Sequence, residues 1–216
     1  MTTMIIVRHG QSTGNVEGLY CGQLDFPLTQ KGRAQSELAG AYLKETYQID
    51  AIYASDLCRA MQTAEPTARA FGLEIIPDKD LRETCVGEWQ GYDAEMILQT
   101  RAEEVKRWKT DWSYAPKGGE TLQQLQDRVR HFLDRVLVEH RDETIAVFGH
   151  AGSIGSIMGQ CIPDRETRRE ITKEQDLGNA AVTVLKFDGS EFVEVVVWNY
   201  KKYLEGLSTI TSQGVV

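Results

Sequence analysis

The chain has 216 residues, 41% hydrophobic and 26% charged, with a formal net charge of −8. That length and balance suit one α/β domain, or two small ones, with a substantial core. The acidic balance, with no long basic stripe to offset it, argues against nucleic acid as a partner, and no run reaches the ~18 apolar residues of a membrane span. Met1 leads directly into an apolar run with no basic leader, so the expectation is a soluble cytoplasmic protein without membrane attachment. Cys21, Cys58, Cys85 and Cys161 form no C-x-x-C pair and read as reduced, mostly buried thiols. The locally basic stretches 106–109 and 165–169 read as solvated helix faces.

Ile5-Ile6-Val7 is an aliphatic run that stops abruptly at Arg8-His9-Gly10. It reads as a buried strand delivering polar groups to a sheet edge, where open α/β sheets bind ligands. A guanidinium fork beside an imidazole suits a phosphate, and Gly10 would let the backbone approach a ligand closely. From the triplet alone, a strand end capped by ordinary surface residues reads the same. A polar, glycine-containing loop over 12–28 follows. Thr29 then serves as N-cap for a helix over 30–47, with Leu38, Ala41 and Tyr42 as core-facing candidates.

Residues 51–54 read as a strand, and Ser55-Asp56 starts a helix that ends at Gly72, a suitable C-cap. Another strand is expected at 73–76. The stretch 81–91 is irregular, and 93–117 is helical in pattern but crowded with Trp, Arg, Lys and Glu. Beyond Gly118-Gly119, a long helix over 122–139 carries Leu122, Leu125, Val129, Phe132, Leu133 and Val136 as an apolar stripe. The strand at 144–148 ends in Gly149-His150-Ala151-Gly152, a second histidine at a strand terminus. Strands over 182–187 and 192–198, split by Asp188-Gly189, form a hairpin. His131 and His140 read as surface residues, the first off the apolar stripe and the second just past the helix end.

Arg8-His9-Gly10 with Asn15, the block 25–29, the block 55–64 containing Arg59, Leu81-Arg82-Glu83, Gly119-Glu120-Thr121 and Gly149-His150-Ala151-Gly152 occur in an order that resembles the histidine phosphatase superfamily. This is the group that contains the cofactor-dependent phosphoglycerate mutases. The block 20–29 is similar to that of α-ribazole phosphatases and of broad-specificity phosphatases. The resemblance implies a three-layer α/β/α sandwich with a mostly parallel central sheet, phosphoglycerate mutase-like, formed by one domain over 1–216 with 92–118 as a cap or specificity insertion.

It further implies that His9 is the nucleophile, that Arg8, Arg59 and a protonated His150 clamp the phosphoryl group, and that Glu83 is the proton donor and acceptor. Asn15, Cys21, Gly22, Ala151 and Gly152 fall where the family contacts ligand oxygens. Taken singly, Arg59 reads equally as a helix-surface charge and Glu83 as a loop carboxylate paired with Arg82. Two departures stand out: Cys21 occupies a position where relatives often carry a hydroxyl, and Gly155 replaces an arginine of many relatives.

The implied activity is metal-independent hydrolysis of a small phosphorylated metabolite through a phosphohistidine, with no cofactor and no metal ligands. Mutase activity is the alternative, but the segment 92–117 offers Arg101, Lys106, Arg107 and Lys109 without the adjacent arginine pair of the family's mutases. A non-catalytic phospho-ligand binding module ranks lower, because a binder has no use for Glu83. Trp108, Trp112 and Tyr114 serve either as an aromatic wall for a larger substrate or as packing within the segment. A homo-oligomer is compatible with the sequence, which leaves the substrate and the role of 203–216 open.

Overall fold

A computed structural model describes residues 1–173, 176–205 and 207. Six strands form one sheet in the order β3-β2-β4-β1-β5-β6. They are β1 (Thr2–Arg8), β2 (Ala51–Ser55), β3 (Ile75–Asp78), β4 (Thr144–Gly149), β5 (Val182–Asp188) and β6 (Glu191–Tyr200). The first four pair in parallel, and the β5-β6 hairpin adds antiparallel beside β1. Because β4 returns between β1 and β2, the carboxyl ends of these three strands meet at one crevice, the place where such sheets hold ligands.

The aliphatic runs are continuous because both faces of the central strands are covered. Met4 and Ile6 pack toward α6 (Leu122–Glu139) and α7 (Ala151–Cys161), in a cluster with Val129, Phe132, Val136 and Ile157. Ile5 and Val7 point the other way, toward Leu43 of α2 (Gln30–Thr46) and Ala64 of α3 (Cys58–Phe71). The period-2 alternation of one strand thus anchors a helical layer on each side, the three-layer α/β/α arrangement.

Several sequence expectations need correction. On α2 the buried face is Gly32, Gln35, Ser36, Ala39, Gly40 and Leu43; Ala41 is exposed, and Leu38 and Tyr42 are only partly buried. Small residues set the helix phase, because a Cβ on Gly40 would lie 3.0 Å from Pro66 of α3. Strand β3 runs two residues later than expected, pairing Ile52 to Ser55 of β2 with Ile75 to Asp78, and its edge position tolerates Pro77. The segment 93–117 is two short helices, α4 (Ala94–Thr100) and α5 (Ala102–Thr110), broken where Arg101 leaves helical geometry (φ −132°, ψ 35°), and then a loop.

The four cysteines are free but only partly buried. His131 is exposed and bound to Asp80, as a surface histidine. His140 is not: its side chain is 16% exposed and bridges Tyr53 Oη (2.8 Å) and Glu143 (2.7 Å). The basic stretches lie on exposed faces of α5 and of α8 (Arg165–Thr172). Among the described residues no helix is long and apolar enough to cross a membrane.

Candidate active site

Register brings the two histidines together. Arg8 pairs with Gly149 across β1 and β4, so the next residue of each strand, His9 and His150, emerges at the same edge with ring centroids 5.1 Å apart. Arg8, His9, Asn15, Cys21, Gly22, Arg59, Glu83, Ala151 and Gly152 line one cavity of about 390 Å³, so nine of the ten sequence-selected residues border a common space. His150, fully buried, stands directly behind His9.

His9 is 3% exposed, and its Nδ1 lies 2.7 Å from the carbonyl oxygen of Gly10. A carbonyl only accepts, so Nδ1 carries the proton and Nε2 presents its lone pair. Burial, and then the charges of Arg59 and Arg8, hold the imidazole pKa well below 6.5. The ring is therefore neutral at ordinary pH, with Nε2 unprotonated. Gly10 is small for a reason other than access to a ligand: a Cβ there would lie 2.6 Å from the carbonyl oxygen of Gly32, so the residue seats the His9 turn on α2. Its amide donates to Thr63 Oγ1 (3.0 Å).

Arg59 is fully buried, which removes its reading as a helix-surface charge. Its Nη atoms donate to the carbonyls of Leu24 and Gly22 (2.8 Å each), and Arg8 donates to the carbonyl of Leu177. Neither guanidinium pairs with a carboxylate among the described residues, and the Nε of each is buried without a partner. Burial lowers the pKa of both. Two desolvated cations share one nearby carboxylate, Glu83, with which neither pairs directly, and this leaves a site short of negative charge, which an anion would supply.

His150 accepts or donates through Nε2 to Ser55 Oγ at the end of β2 (2.8 Å). Burial, then Arg59, His9 and Arg8, hold its pKa well below 6.5, so the protonated imidazole expected from the sequence is neutral here.

Glu83 is not paired with Arg82, which makes a two-pronged bond to Asp56 (2.6 Å each). Its Oε1 accepts from the amides of Thr84 (2.7 Å) and Gly152 (2.9 Å). The Gly152 amide is thus committed to positioning the carboxyl, and a Cβ on Gly152 would lie 2.1 Å from Oε1. Behind Glu83, Arg128 of α6 binds the carbonyls of Asp80, Arg82 and Glu83 and pairs with Glu120, both side chains largely buried. Asn15 Oδ1 receives Ser12 N–H and Asn179 Nδ2 (3.1 Å each), which fixes the orientation of the amide. Asn179 also donates to the carbonyl of His9 (3.1 Å).

Sequence reasoning missed Ser55, Thr63, Arg128 and Asn179. Single polar residues on a strand end, a helix or a loop carry no periodic signal, although Ser55 and Thr63 lie in the block 55–64 and Glu120 in the block 119–121. Among the described residues no group of three or more His, Cys, Asp or Glu is arranged to hold a metal ion.

The two neutral histidines make stability depend on pH. Both folded pKa values lie well below the unfolded 6.5, so their contribution is intact above pH 6.5 and is lost as pH falls, because the unfolded chain takes up protons that the folded chain refuses. Between pH 7.5 and 5.5 the expected loss is about 3 kcal/mol for the pair, read by urea unfolding. His9→Gln should roughly halve that slope; an unchanged slope would place the titration elsewhere.

A three-layer α/β protein with two histidines, two arginines and a carboxyl at the carboxyl ends of its central parallel strands has the architecture of phosphoglycerate mutase-like proteins. The chain belongs to the histidine phosphatase superfamily (branch 1), whose profile matches residues 4–201. A phosphoglycerate mutase-like protein of Arabidopsis thaliana is 33% identical over 206 residues, covering 94% of this chain and 86% of that one. An adenosylcobalamin/α-ribazole phosphatase of Escherichia coli is 31% identical over 160 residues, 73% of this chain and 77% of that one. Against a bifunctional protein of Mycobacterium tuberculosis, 30% identical over 195 residues, the chain spans 53% of the relative's length.

Among solved structures, YhfR of Bacillus stearothermophilus superimposes with a TM-score of 0.84 at 29% identity, over 95% of this chain and all of that one. A mycobacterial glucosyl-3-phosphoglycerate phosphatase in complex with VO3 gives 0.80 at 28% identity, over 92% of this chain and 99% of that one.

Proposed function

We propose that this chain is a phosphomonoester hydrolase that works through a phosphohistidine on His9. The observation that carries the reading is the convergence of two buried, unpaired guanidiniums on a neutral imidazole with a free Nε2. A phosphomonoester dianion supplies the missing negative charge, and Arg8 and Arg59 hold it in line with His9. His9 Nε2 attacks phosphorus, the bond from phosphorus to the ester oxygen breaks, and Glu83 as a carboxylic acid gives its proton to the leaving alkoxide. Glu83, now a carboxylate, takes a proton from water as the water oxygen attacks the phosphohistidine. The P–N bond breaks, its electron pair returns to Nε2, and inorganic phosphate leaves. His150 gains its proton only with the dianion beside it, and Ser55 holds the ring in place for that.

Hydrolysis is favoured over mutase chemistry by what the cations of 92–117 do. Arg101 pairs with Glu88 and Glu104, and Arg107 pairs with Asp111 and lies over Tyr114, so neither is turned toward a second phosphate. The arginines and His150 meet the phosphoryl charge by themselves, so phosphate release should persist in a chelator. Glu83→Gln tests the proton donor: turnover of alkyl phosphates should fall about 10²- to 10³-fold, and of nitrophenyl phosphate far less, since nitrophenolate leaves without a proton. Equal losses on both would sink the acid role.

A further inference from the structure

A second cavity, of about 440 Å³, adjoins the catalytic one beside Glu83. Thr84 and Gly152, whose amides hold Glu83 Oε1, line both spaces, as do Trp108 and Ala151. In an in-line displacement at His9 the leaving oxygen lies opposite the nucleophile and beside the acid. The organic part of the ester therefore passes beside Glu83, over the contact between Thr84 and Gly152, into the second cavity.

The character of that cavity is apolar. Trp108, Trp112, Leu122 and Leu125 form its walls, and the opposite side is the face of α7 that carries Gly155 and Gly159. Trp112 is half exposed and Leu122, at the start of the apolar stripe of α6, is only partly buried, so both present apolar surface to the cavity rather than to the core. Gly155 is the telling residue. Glycine inside a helix weakens it, and where a close neighbour demands a glycine a Cβ would clash. At Gly155 a Cβ would meet nothing within 4 Å. Packing does not require the glycine; the space that a side chain would take is the cavity. Arg168, at the far end, is bound through Nη1 to the carbonyl of Ile162 (2.6 Å).

Resting on the hydrolase reading, we propose that the alcohol released by this enzyme is bulky, flat and apolar, an aryl or arylalkyl alcohol seated between the two indoles and the glycine face of α7. Polyhydroxylated or carboxylated alcohols find polar partners there only at Thr84, Gln126, Ser156 and Arg168, too few to replace their water. Of the two roles left open for the tryptophans, packing is seen directly, since Trp108 meets Trp89 edge-on (5.9 Å), and the aromatic wall is what this proposal assigns to Trp108 and Trp112; Tyr114 is occupied by Arg107.

The test compares 2-(2-naphthyl)ethyl phosphate with ethyl phosphate, two alkoxide leaving groups of similar basicity, so that a difference reports binding of the ring rather than ease of departure. In the wild type the naphthyl ester should show kcat/KM on the order of 10²-fold higher. In Gly155→Leu, which fills the cavity, and in Trp112→Ala, which removes one wall, that ratio should fall toward one, with vanadate inhibition reporting that the phosphoryl site is assembled. A wild-type ratio near one, with ethyl phosphate hydrolysed, overturns the apolar subsite and leaves the hydrolase reading standing. A high ratio that survives both substitutions also overturns it. Absence of phosphate release from either ester removes the hydrolase reading, and the subsite with it.

Discussion

Replacing His9 with alanine is expected to lower turnover by roughly 10⁴-fold or more, with the fold intact. The reasoning is local: Nδ1 is tied to the Gly10 carbonyl, Nε2 alone is left to attack, and no other imidazole faces the cavity in that state. Rapid quenching of the wild type with a labelled phosphomonoester should trap an acid-labile, alkali-stable phosphoryl group on the protein. The variant should trap none, yet still bind vanadate within about tenfold, since Arg8 and Arg59 remain. Label retained in His9→Ala would move the nucleophile elsewhere; turnover within tenfold of wild type would end the phosphohistidine mechanism.

The second large effect is expected from Arg59→Met, which keeps the volume of a fully buried side chain and removes its charge. Loss of one donor aimed at developing charge typically costs 10²- to 10³-fold in rate, and a cation in a dry site should reach at least the upper end, about 10³-fold in kcat/KM. The same variant separates function from folding. Inorganic phosphate or vanadate binds only the folded chain and should raise the melting temperature of the wild type, an effect that Arg59→Met should largely lose. Because Arg59 has no carboxylate partner, its removal deletes a desolvated charge along with bonds to the carbonyls of Gly22 and Leu24. A stability change within ~2 kcal/mol is expected. Undiminished stabilisation by phosphate would show that Arg59 is not part of the anion site.

The Arg128–Glu120 pair explains how a loop can present Glu83 reproducibly. One guanidinium holds the three carbonyls at 80, 82 and 83, while Glu120 also accepts from the amide of Cys85 (2.8 Å). Arg82 adds a second anchor through Asp56. Glu83 is thus held by its own backbone, and the carboxyl only has to be oriented, which the amides of Thr84 and Gly152 do.

Much of this was legible in the sequence because it is carried by local pattern. The aliphatic runs before Arg8 and before Gly149, the apolar stripe of α6 and the caps at Thr29 and Gly72 are consequences of period and capping chemistry, and they survive in the structure. The candidate residues were legible through the order of their blocks, since a strand end is where an α/β sheet exposes polar groups. What the sequence could not determine depends on residues far apart in the chain. That His9 and His150 adjoin follows from the β1-β4 register, that both are neutral follows from burial beside Arg8 and Arg59, and that Gly10 and Gly40 serve packing follows from what lies against them. The apolar cavity beyond Glu83 is likewise a tertiary product, made by the loop after α5, the first turns of α6 and the glycine face of α7. Hydrophobic period reports which side of an element leaves water, but proton affinity and cavity shape depend on which other elements arrive there.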